Sequence, residues 1–238
     1  MRTTVTFDGT RLTDLAVVSG LQRPLLPRRP EYVNVPGADG AIFAGVVDDT
    51  RTVKMTMTLI DHDRAARMQA ARRLAALLDV DSPRPLAISE DAGLYYMAMP
   101  TAGADGIRFL NAESFDVEFT CDAFMYGEAH AFALSIASGS SQRILVDGTK
   151  PAPVRLDVTV TGSGTWRLEA DGDDAYTATV SGSAALTIDA DRRVATRDGA
   201  TYALPPTNEW LWLGPGEHTI KSYGAGVSGT LTYTERWA

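Results

Sequence analysis

The chain has 238 residues, 45% of them hydrophobic and 22% charged, which is enough apolar material for one large or two modest cores and too much for a disordered chain. Its 30 acidic and 22 basic side chains leave a net charge of −8, which disfavours a surface that grips nucleic-acid phosphates. The opening MRTTVTFDGT carries no apolar signal core, and no stretch approaches the ~20 apolar residues of a membrane span, so a soluble protein made in the cytosol is expected.

The first distinctive stretch is 20–49. Pro24, Pro27, Pro30 and Pro36 deny it a continuous ladder, and Gly37, Gly40 and Gly45 supply turns, which predicts a long loop or an extended hairpin. It is too long for an ordinary connection, yet Tyr32, Val33, Val35, Ile42 and Phe43 give it more apolar surface than a solvated loop needs. An arm covering a neighbouring subunit is the alternative to a surface loop. In that case Gly37, Asp39 and Gly40 form its tip, and the interface comprises Tyr32, Val35, Gly37, Asp39, Gly40, Ile42 and Phe43.

Strand alternation follows in RTVKMTMTLI, with Val53, Met55, Met57 and Leu59 on one face and Lys54, Thr56 and Thr58 on the other. Then the period changes. In DHDRAARMQAARRLAALLDVDSP, Met68, Ala71, Ala75 and Leu78, reinforced by Leu74 and Leu77, predict an amphipathic helix over about 64–78. Asp61 or Asp63 caps its start and Pro83 and Pro85 stop it. LYYMAMP and SFDVEFTC return to period two, and Cys121 takes the buried parity of Phe115, Val117 and Phe119 as a small hydrophobe. The helix is therefore expected to cover a sheet.

DAFMYGEAH is expected to turn the chain, and SIASGSSQ is polar and small enough to link, so the domains are placed at 1–128 and 129–238. Beyond the link, VRLDVTV alternates cleanly, and strands are expected near 165–170, 176–180, 185–188, 193–196, 210–213, 218–222 and 229–234. Seven or eight short strands at this spacing predict an antiparallel sandwich. The fold class is mainly β: an N-terminal sandwich or barrel-like domain with one α-helix, then a C-terminal sandwich.

Catalytic chemistry finds no foothold. His62, His130 and His218 stand in unrelated settings, and there is no HExxH, CxxC, G-x-S-x-G or P-loop, so no catalytic, metal or cofactor residues are assigned. Asp61-His62-Asp63 is explained by helix capping. Asp171, Asp173 and Asp174 lack the spacing of a calcium loop and are expected in a hairpin turn. Trp210 and Trp212 share one strand face while Leu211 and Leu213 take the other, so one pair must point away from the core. An outward aromatic pair could stack on sugar rings or pack at a contact.

The order of these segments resembles the siphophage distal tail protein family. The resemblance runs through FDG, VPGADG, the alternating strand before a helix ending in RRLAALL, then PLAIS, LYYMAM and FDVEFTCDAFMYG. It continues in GTKPAPVRLDVTVTG, LTIDADRRVATRDG, WLWLGPGEHTIKSYG and LTYTERW, which are similar to that family's galectin-like C-terminal sandwich. The clustered His, Asn, Arg and Glu of a galectin sugar site are missing, so lectin activity is not carried over. The resemblance implies a non-enzymatic virion protein at the distal end of the tail: a homohexameric ring joining the tail-tube protein to the tail-tip hub protein, with DNA passing through without specific binding. The rival expectation is a carbohydrate- or receptor-binding adhesin using Trp210 and Trp212.

Overall fold

The computed structural model describes residues 3–37, 39–59, 63–102, 114–206 and 208–238, which excludes Asp61 and His62. The chain divides into two compact units, 1–126 and 127–237. Among the described residues no helix is long and apolar enough to cross a membrane.

The first unit comprises β1 (Val5–Phe7), β2 (Thr10–Arg11), a 3-10 turn at Leu12–Asp14, β3 (Ala16–Gln22), β4 (Arg28–Asn34), β5 (Ala41–Asp48), β6 (Arg51–Leu59), α1 (Arg64–Leu78), β7 (Arg84–Ile88), β8 (Tyr95–Ala102) and the start of β9 (Ser114–Ile136). All pairings are antiparallel, in the order β2-β1-β7-β8-β9-β6-β3. Asp8-Gly9 closes the first hairpin with both residues at positive φ, the geometry a two-residue loop demands. Val5 and Phe7 of β1, Ala16 of β3, Met55 and Met57 of β6 and Phe119 and Cys121 of β9 share one core, so strands from opposite ends of the order converge as in a barrel-like wrap. The opposite face of β6–β9 is a polar ladder: Lys54–Glu118 at 2.5 Å, Thr56–Asp116 at 2.7 Å and Thr58–Ser114 at 2.6 Å.

Helix α1 starts where predicted. Asp63 caps it by accepting from the Ala66 N–H at 3.1 Å. Its buried seam is rotated from the expected one: Ala70, Ala71 and Leu74 face the core, Met68, Leu77 and Leu78 are half-buried, and Ala75 is exposed. Alanines on both sides of the stripe made its centre ambiguous, and packing on the sheet selected the Leu74 line.

The expected turn at DAFMYGEAH does not exist. Those residues lie inside β9, one extended strand whose partners change along its length: 114–121 pair β6 and 118–126 pair β8. Alternating burial lapses over 122–126, where every residue is half-buried, and that lapse mimics a chain break in the sequence.

The second unit contains the end of β9, then β10 (Ser141–Val146), β11 (Ala152–Pro153), β12 (Arg155–Ala170), β13 (Asp173–Asp189), β14 (Val194–Arg197), β15 (Ala200–Thr201), β16 (Trp212–Leu213), β17 (Gly216–Tyr223) and β18 (Gly226–Trp237). Four of the short strands expected here, counting VRLDVTV, are two long ones. β12 and β13 pair along their whole length as a single ribbon. The first half of β12 pairs β18 and its last residues pair β17, so one ribbon contributes to both layers of an antiparallel sandwich. Gly162 and Gly182 face each other at the switch, and a Cβ on Gly162 would stand 2.7 Å from Ala225 Cβ, so the bend needs a bare backbone there. The inward residues form one core around Trp166 and Tyr176. Both polar tips are satisfied: Trp166 Nε1 donates to Ser222 Oγ at 2.9 Å, and the Tyr176 hydroxyl accepts from the Leu211 N–H at 2.9 Å.

Candidate functional site

The 20–49 segment folds as an extended hairpin, the second of the two expected forms. Among the described residues β4 and β5 pair only with each other, from Arg28 opposite Asp48 to Asn34 opposite Ala41. Pro30 sits inside β4 because a two-stranded ribbon leaves its nitrogen on an outer edge where no ladder bond is required. The base is held by Arg28–Asp48 at 3.3 Å and by the Asp49 N–H donating to the Pro27 carbonyl at 2.9 Å. At the tip Gly37 and Gly40 have φ of 84° and 83°, with Asp39 exposed between them.

The ribbon is apolar on both sides. Tyr32 is opposite Phe43 on one face, with rings 5.8 Å apart edge to face, and Val33 is opposite Ile42 on the other. Tyr32 is 61% exposed, Ile42 60% and Phe43 56%, and Val35, Val46 and Val47 are exposed as well. Thus Tyr32, Val35, Gly37, Asp39, Gly40, Ile42 and Phe43 are brought together on one element. Val46 and Val47 belong with them and were missed, because they follow a Gly whose bulge shifts the alternation. A bare two-stranded ribbon is marginal in water, and this one leaves a contiguous apolar area exposed.

At Trp210–Leu213 the aliphatic pair wins the core. Leu211 and Leu213 are buried, Trp210 is half-buried against the core and Trp212 is exposed, with the Arg236 guanidinium 4.9 Å over its ring. Only 212–213 form a strand, paired with β11. Both tryptophans line a cavity of about 390 Å³ with Asp173, Asp174, Glu209 and His218. Asp171-Gly172 closes the β12–β13 hairpin as expected, whereas Asp173 and Asp174, expected in the same turn, begin β13; Asp171 also accepts from the Thr219 N–H at 2.8 Å and contacts His218 Nδ1 at 2.5 Å. His218 Nε2 lies 2.6 Å from the Gly214 carbonyl, which spends both ring nitrogens on structure. Cys121 is buried and its thiol is pushed up to about 12 by desolvation, the behaviour of a core hydrophobe.

Two family models match the chain: the phage tail protein RIFT-related domain over residues 10–121, and the siphovirus-type tail component C-terminal domain over residues 147–237. Together with the fold they define a structural component of a siphovirus-type tail. The chain belongs to the siphovirus distal tail protein family. Among solved structures it is similar to the distal tail protein of phage SPP1, described as a paradigm of the hub adsorption apparatus of phages infecting Gram-positive bacteria. That match has a TM-score of 0.73 at 16% identity and covers 99% of both chains. A chain of the phage p2 baseplate in its activated conformation with Sr aligns with a TM-score of 0.49 at 8% identity, over 98% of this chain and 97% of that one. No curated protein matches the chain.

Proposed function

We propose that the protein assembles through its β4–β5 arm into a six-membered ring between the tail tube and the tail-tip hub, through which DNA passes. As a member of its family it is a structural, non-enzymatic component of the virion's tail tip, of the baseplate-hub type. The observation that carries the ring is the arm: a hairpin apolar on both faces that, among the described residues, pairs with no other strand of its own chain. A head-to-tail contact places each arm on the next subunit and repeats until the circle closes. The count of six and the neighbours on either side rest on the family resemblance. The net charge of −8 is compatible with such passage, since basic walls would trap phosphates through counterion release. Native mass spectrometry of the purified chain tests the ring. A species of six times 25.5 kDa is expected, and a monomer at every concentration would overturn it.

The cavity beside Trp210 and Trp212 favours a second reading, a glycan-binding role for the second unit. Its carboxylates could accept sugar hydroxyls while the indoles stack. Reproducible binding on a glycan array, lost in Trp212→Ala, would support it, and a blank array would remove it.

A further inference from the structure

Three side chains that no sequence motif links meet in the second unit. His130 lies on β9, Asp147 directly after β10 and Glu235 on β18, and their ligand atoms all lie within 4.8 Å of one another. His130 Nε2 and Glu235 Oε1 are 2.7 Å apart. The Glu235 carboxylate is steered from its other side, where Trp237 Nε1 donates to Oε2 at 2.9 Å and leaves Oε1 turned toward the imidazole. Gly127 makes room for this carboxylate: a Cβ there would stand 2.2 Å from Glu235 Oε2. Tyr233 fixes the other two members. Its ring stacks on His130 at 5.1 Å and 20°, and its hydroxyl accepts from the Asp147 N–H at 3.0 Å.

We propose that His130, Asp147 and Glu235 bind a first-row divalent cation of the Zn²⁺ class. One imidazole nitrogen and two carboxylates form a three-ligand set that leaves a fourth position for water. Ca²⁺ and Mg²⁺ are hard ions that favour all-oxygen shells, whereas an imidazole nitrogen beside two carboxylates is the donor set that suits Zn²⁺ and its first-row neighbours. The ion would replace the direct His130–Glu235 hydrogen bond with two coordinate bonds, draw Asp147 in as the third ligand and offset the charge of both carboxylates. Trp237 and Tyr233 are the groups that orient the ligands, and such outer contacts are worth 10- to 100-fold in affinity, to order of magnitude. The site would tie β9, the end of β10 and β18 together near the end of the chain's last strand. It depends on neither the ring nor the tail-tip position.

Isothermal titration of the full chain with ZnCl₂ tests this, with circular dichroism to confirm folding. One ion per chain is expected, with affinity reduced at least about tenfold in Asp147→Asn and in His130→Gln, and unchanged in His218→Gln. Because Asp147 is exposed directly after β10, Asp147→Asn decides the matter alone if His130→Gln misfolds. Co²⁺ should bind in the same stoichiometry with the intense visible absorption of a four- or five-coordinate site. Absence of stoichiometric Zn²⁺ binding, or parent affinity in a folded Asp147→Asn, would overturn the site. Equal affinity for CaCl₂ would overturn the assigned class of ion.

Discussion

Replacing Ile42 and Phe43 together by Ser removes the apolar tip of the arm without touching either core. Full burial of one such side chain is worth about 1.5–3 kcal/mol. Ile42 and Phe43 are 60% and 56% exposed within their own chain, so about that share of the value is available to a neighbour. The two together would then contribute about 2–3.5 kcal/mol to each proposed arm contact, or about 30- to 300-fold in its equilibrium constant at ~1.4 kcal/mol per tenfold. In a closed ring every junction loses the same amount, so the population of complete rings falls more steeply than any one contact. Both side chains already face solvent, so the stability of the two cores should change by less than about 0.5 kcal/mol. Phe43 also packs edge to face on Tyr32, and Ile42→Ser alone separates lost intersubunit burial from fraying of the ribbon. Native mass spectrometry over a dilution series, alongside thermal melts by circular dichroism, reads both quantities. Folded single and double variants that assemble at the parent's concentration would refute the arm as the contact.

Leu74→Asp places a carboxylate in the centre of the first core and should cost several kcal/mol, whereas Ala75→Asp on the exposed side should be nearly neutral. Equal melting temperatures for the two would refute the helix register. The Cys121 thiol, held up at about 12 by burial, should not react with a disulfide reagent at pH 8 in the native protein and should react fully after unfolding; prompt native labelling would contradict its burial. The Asp157 carboxyl is held below its ordinary range, chiefly by the Arg155 guanidinium at 2.7 Å and also by the Thr187 hydroxyl at 2.8 Å. A depressed folded value gives stability that is present above the ordinary carboxylate range and is lost as pH falls through the folded value. Urea melts should therefore show a loss below about pH 4 that is smaller in Asp157→Asn, since Asp171 and Glu235 are depressed as well, and identical acid profiles would refute the contribution.

What was legible in the sequence was whatever depends on neighbours along the chain. Alternation assigned the core faces of β6 and β9 because side-chain direction in a strand is local, and the Asp63 cap and the 3.6 period placed α1. Parity at Trp210–Leu213 showed that one pair had to leave the core, and the tertiary structure chose the leucines. The inner line of α1 was likewise settled only by the sheet beneath it, since Ala71 and Ala75 present nearly the same surface until something packs on one of them.

Strand identity was the larger gap. A strand that changes partners at a glycine or a bulge reads as two strands, because the break in alternation is local while the ladder that keeps it one strand comes from residues far away; Gly162 in β12 and residues 122–126 in β9 both show this. The same physics separates the two candidate sites. The arm was visible because its apolar side chains and turn glycines are consecutive in the chain. His130, Asp147 and Glu235 were invisible as a group because only the placement of β9, β10 and β18 in one unit brings them together. The sequence alone therefore determined which faces are apolar and where the chain turns; the tertiary structure decided which strands are neighbours, since that depends on burial shared between segments too far apart to signal each other locally.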